Sequence, residues 1–121
     1  MFLATINQSK RLLHLSFIAD VHVDELRRSR DDVVALINHL GRGFRLLTDL
    51  GRLESMAAEC AEESAHLMEL CDQQGVESIV RVIPNPSKDI GLGILSHFHY
   101  SHRPRIVTCD TMIEAAKLLR L

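Results

Sequence analysis

Phe44-Arg45-Leu46-Leu47-Thr48-Asp49 and Ile79-Val80-Arg81-Val82-Ile83 are two strand-length apolar runs. Between them, after Leu53-Glu54-Ser55-Met56, the residues Met56, Cys60, Leu67, Met68 and Cys71 fall along one side of a helix, which Gly75 closes. Strand, helix, strand in this order calls for two parallel neighbours joined by a right-handed crossover. The second run stops at Pro84-Asn85-Pro86, because proline donates nothing to a sheet ladder.

The same alternation continues outward in both directions. Upstream, Leu26, Val33, Val34, Ile37 and Leu40 recur at helical spacing, and Gly41-Arg42-Gly43 ends that helix. Arg27, Arg28, Arg30, Asp31 and Asp32 lie mainly off the apolar stripe and read as its solvated face. Before it, Phe2 to Asn7 and Leu12 to Ile18 flank the polar break Gln8-Ser9-Lys10, which predicts a hairpin. Downstream, Ser87 is a natural N-cap for a short third helix carrying Ile90, Leu92, Ile94 and Leu95. Pro104 to Cys109 is a last strand, and Thr111 with Glu114 opens a final helix from Met112 to Leu121. The expected fold is α/β: a single domain over residues 1–121, with a mixed five-stranded sheet and about four helices.

Composition narrows the function classes. A chain of 121 residues, 46% hydrophobic and 25% charged, is long enough to bury its own core. A net charge of −2 gives no general field for nucleic acid or an anionic membrane, and one Tyr, four Phe and no Trp leave little for base stacking. Arg81, Arg103, Arg105, Arg120 and Tyr100 are too scattered to form a nucleic-acid patch. Cys60, Cys71 and Cys109 are odd in number and set in apolar contexts, so they read as buried free thiols in a reducing compartment. The apolar runs are far shorter than the roughly 20 residues of a membrane span, no basic leader opens the chain, and Leu121 ends the last helix without a tail. A stand-alone cytoplasmic protein is expected.

The stretch Asp49-Leu50-Gly51-Arg52-Leu53-Glu54-Ser55-Met56 carries a resemblance. It is similar to the STAS (sulfate transporter and anti-sigma-factor antagonist) domains, where a strand ending in Asp or Asn leads through Leu-x-x-Leu-x-Phe-(Met or Ile) to Asp-Ser-Ser-Gly at a helix start. Phe17-Ile18-Ala19-Asp20 likewise resembles the Gly-x-Leu-Asp turn before that family's first helix. The resemblance implies a SpoIIAA-like fold and a regulatory protein contact rather than catalysis. It also implies a partner such as a kinase-like anti-sigma factor or another signalling protein, at Ser55, Met56, Ala57, Ala58, Glu59 and Cys60. A homodimer is a further state it allows. Here the motif is degenerate: Ala57-Ala58-Glu59-Cys60 stands for Asp-Ser-Ser-Gly. Glu59 then falls near the family's phosphoserine, carrying less charge than a phosphate but a permanent one. The plainer reading is an acidic side chain in a first helical turn, where the macrodipole favours it.

Other constellations point to chemistry more weakly. Asn85, Ser87, Lys88 and Asp89, between the Ile79–Ile83 strand and a helix start, form a candidate small-ligand or lipid-sensing loop, against a rigid Pro-x-Pro turn. A chain so short and poor in aromatics gives a SEC14-like lipid pocket little room. His97, His99 and His102 could ligate a metal, but no single regular element presents all three, and a helix end and its loop suit them as well. Asp20 and Asp49 invite a receiver-domain reading, which the opening hairpin argues against. No nucleophile stands beside a base, so a non-enzymatic domain without cofactor or metal is expected.

Overall fold

The computed structural model describes residues 1–84 and 100–121. Chain order is β1 (Phe2–Asn7), β2 (Leu12–Val21), α1 (Val23–Leu40), β3 (Arg45–Met56), α2 (Cys60–Gln73), β4 (Ser78–Val82), β5 (Arg105–Cys109) and α3 (Met112–Leu119). The strands form one sheet in sequence order, β1 antiparallel to β2 and every later neighbour parallel. This is the expected mixed α/β architecture. Three helices are present among the described residues, and the helix expected after Ser87 lies outside them.

Alternation along the strands decides which helix covers which face. Leu13, Leu15 and Phe17 of β2, Leu46 and Leu50 of β3 and Ile79 of β4 join one apolar cluster with Leu26, Val33 and Ile37 of α1 and Cys60, Leu67 and Cys71 of α2. Leu12, Leu47, Val80, Val82 and Cys109 turn the other way, against Ala115 and Leu119 of α3. Thr111 caps α3 by accepting the Glu114 amide at 3.1 Å. Arg45 fastens this side, its Nη1 donating to the Leu119 carbonyl at 2.8 Å and its Nη2 to Lys10 at 2.9 Å.

β3 runs past Asp49, where the sequence suggested a stop. Between Ser16↔Asp49 and Ile18↔Arg52, and again between Ala19↔Leu53 and Asp20↔Ser55, β3 advances one residue more than β2. The first irregularity follows from a local bond, the Gly51 amide donating to Asp49 Oδ1 at 2.8 Å. A Cβ on Gly51 would stand 3.0 Å from that oxygen, a contact tight enough that the Asp49 carboxylate would have to shift. On β2, Ala19 absorbs the mismatch at φ 55°. Pairing then resumes to Val21↔Met56, with Leu53 buried. Met56 consequently closes a strand and is not part of the helix that was expected to contain it.

Arg27, Arg28, Arg30, Asp31 and Asp32 are all exposed, as expected of a solvated face, but two of the arginines also reach across to α2. Arg27 Nε and Arg30 Nη2 reach the buried Glu63 of α2 at 3.4 and 2.5 Å. The hydrogen bond from Arg30 leads in holding the Glu63 carboxyl below its usual range against the opposing effect of burial. The partners are 36 and 33 residues apart, beyond the reach of any helical-face pattern.

Candidate functional site

Parallel pairing brings the carboxyl ends of β2 and β3 side by side, Asp20 opposite Ser55 and Val21 opposite Met56. The Ser55 hydroxyl donates to Asp20 Oδ1, tying the two ends through their side chains. Ala57, Ala58 and Glu59 then make a tight turn into α2, with the Cys60 amide on the Ala57 carbonyl at 3.0 Å and the Ala61 amide on Ala58 at 3.1 Å. All three turn residues are exposed, whereas Met56 is half-buried and Cys60 fully buried.

Glu59 already has helical dihedrals, φ −60° and ψ −25°, and its side chain makes no capping hydrogen bond. It therefore presents its carboxylate to solvent, in company with exposed Asp20 and Glu54 at the same strand ends. Cys60 anchors the turn from inside, its Sγ donating to the Val21 carbonyl at 3.7 Å. Burial first, and the Glu59 charge second, push this thiol above its usual pKa, so it is no activated nucleophile. Burial likewise drives the Cys71 thiol to about 12.

The six residues from Ser55 to Cys60 are thus continuous in space, but they span a strand end, a turn and the first residue of a helix. Asn85, Ser87, Lys88 and Asp89 lie outside the described residues, as do His97 and His99. His102 is tied to Asp72, which accepts from its Nδ1 at 2.9 Å, from its amide at 3.1 Å and from Ser101 Oγ at 2.8 Å. Among the described residues no three His, Cys, Asp or Glu side chains gather to hold a metal ion. Asp20 and Asp49 do not converge either: Asp49 pairs with Ser16, four residues and so about 13 Å along β2 from Asp20.

Sequence reasoning missed Asp72, which is buried at the carboxyl end of α2. An acidic residue in the last helical turn opposes the macrodipole, and that mismatch is the signal that could have flagged it. It missed Arg81 and Tyr100 as well, both buried on the α2 side of the sheet. There the signal was a charged residue in an otherwise apolar strand.

On the opposite face His14 is half-buried and shares a 3.1 Å hydrogen bond between its Nε2 and Ser16 Oγ. Burial lowers its pKa from 6.5, Asp49 opposing and Arg52 adding to the effect. The unfolded chain therefore binds the proton more readily, and His14 contributes stability above about pH 6.5 that is lost as pH falls toward the folded value. Denaturant titrations at about pH 7.5 and 5.5 should show a smaller acid loss for His14→Gln than for the native chain. An equal loss in both would remove His14 as its source.

No family model matches the chain, and no curated protein matches it significantly. Solved structures do. The anti-sigma factor antagonist SpoIIAA in its unphosphorylated form is similar with a TM-score of 0.66 at 11% identity, over 99% of this chain and 98% of that one. An uncharacterized protein from the DUF3478 family, from Shewanella loihica PV-4 and with a SpoIIAA-like fold, gives 0.71 at 9% identity over 98% and 92%. At such identities the likeness concerns the fold. Among the described residues no helix is long and apolar enough to cross a membrane. The strand order, the single antiparallel edge and the near full-length superposition together give this chain a SpoIIAA-like fold.

Proposed function

We propose that the domain is a non-enzymatic regulatory module that binds a protein partner through the Ser55–Cys60 segment, with Glu59 as a fixed negative charge at its centre. One observation carries the reading: an exposed Ala57-Ala58-Glu59 turn is clamped between the Ser55–Asp20 and Cys60–Val21 bonds. A turn so held presents one shape and one charge to a partner, with little ordering to be lost on binding. The fold likeness to an anti-sigma factor antagonist supports a signalling partner, a kinase-like anti-sigma factor among them.

The nearby serines are poor substitutes for a regulated one. Ser64 is buried, and Ser55 donates to the Asp20 carboxylate, which would repel a phosphate. Permanent charge at Glu59 accordingly fits a domain held in one binding state.

The test is capture of partners by the tagged chain from its source lysate, repeated with Glu59→Lys. A specific protein retained by the native bait and reduced about tenfold or more by the charge reversal is expected. Glu59→Lys must melt like the native chain, which its exposed position favours. Equal recovery on both baits, or phosphorylation of Ser55 by a recovered kinase, would count against the fixed-charge reading.

A further inference from the structure

A cavity of about 30 Å³ lies between the sheet and α2. One water needs roughly 10–15 Å³, so there is room for a molecule of a few heavy atoms and too little for a long acyl chain. Its walls follow from register. Leu15 pairs with Thr48 and Thr48 with Arg81, which sets three neighbouring strands' side chains in one row facing α2. Opposite them Ser64, Leu67, Met68 and Cys71 line the inner side of the helix, and Tyr100 closes the set.

Two features distinguish this space from a packing fault. Arg81 is only 5% exposed, so a guanidinium is committed to the interior at the cost of its hydration. Tyr100 hydrogen-bonds it as a neutral phenol, since burial above all pushes the Tyr100 pKa up. Ser64 is also 5% exposed, and among the described residues its Oγ is the buried side-chain polar atom with no hydrogen-bond partner. Native interiors satisfy nearly all such groups, so an orphan hydroxyl on a cavity wall beside a buried cation points to a guest.

We propose that this cavity binds a short-chain carboxylate of about two to four carbons, held by the Arg81 guanidinium and the Ser64 hydroxyl, with its alkyl end against Leu67 and Met68. A carboxylate accepts from both donors at once, and its tail fits walls that are otherwise apolar. A bare inorganic anion leaves those walls unfilled. A hydrocarbon leaves Ser64 unsatisfied. The site is independent of the Ser55–Cys60 surface, so either assignment can fail without the other.

The experiment titrates the full chain with sodium propionate by calorimetry and thermal melting, with sodium chloride, propionamide and octanoate alongside. Propionate should give saturable heat and raise the melting temperature, and the three controls should do neither. Arg81→Met should abolish the response. Where that variant fails to fold, Ser64→Ala decides, because it deletes a hydroxyl without a partner: it should fold at least as stably and bind propionate about 3- to 10-fold more weakly. Absence of saturable propionate binding, equal binding of chloride or propionamide, or unchanged affinity in Ser64→Ala overturns the proposal.

Discussion

Phe44→Ala should cost the domain about 3–5 kcal/mol and lower its melting midpoint by roughly 10–20 °C. Phe44 is fully buried at the entry to β3, in the same apolar cluster as Leu40 of α1 and Cys71 of α2. Its carbonyl accepts the Glu77 amide at 2.8 Å, just before β4, so its backbone is fixed on the strand side and cannot follow a shrunken side chain inward. The cavity left behind would stay largely open, and cavity volume is what separates costly truncations from mild ones. Denaturant unfolding by far-ultraviolet circular dichroism checks this directly. A loss below about 1 kcal/mol would mean that α1 and α2 close the gap, and that this end of the core is plastic.

The second large effect is expected at Asp72. Asp72→Ala removes the acceptor of three hydrogen bonds and frees the chain that enters β5, at a cost of about 2–4 kcal/mol. His102 is largely exposed, so its share is screened, and the Ser101 hydroxyl and His102 amide account for most of the loss. The carboxylate also imposes a pH signature. Burial alone would raise its pKa, but the bonds from Ser101 and His102 outweigh it and hold the group below 3.8. A folded pKa below the unfolded one means stability that is complete above about pH 4 and lost as pH falls through the folded value. The stability gap between the native chain and Asp72→Asn should therefore narrow below about pH 4, read from urea midpoints across that range. A gap that stays constant into acid would show that the tether does not depend on charge.

Much of the architecture was legible because it rests on local periodicity. The hairpin around Gln8-Ser9-Lys10, the stripe Leu26, Val33, Ile37 and Leu40, the glycine stop at Gly41 and the cap at Thr111 are each decided within a few residues, and each is found in place. The candidate surface from Ser55 to Cys60 was legible as a segment but not as a shape. Composition offered no sign that β3 continues through Gly51, since the extension depends on a bond from its amide to Asp49 and on pairing with a distant strand. Met56 was therefore assigned to the wrong kind of element.

By itself, then, the sequence determined the order of the described elements, the parallel character of most of the sheet and the faces that must be buried. These follow from side-chain periods of two and 3.6 residues, which each segment carries on its own. Only the tertiary structure decided that Glu63 clasps two arginines of α1, that Asp72 holds Ser101 and His102, and that Arg81 and Ser64 share a cavity wall. The reason is physical: a buried polar group is tolerated only beside its partner, and these partners come from chain positions that nothing but folding brings together.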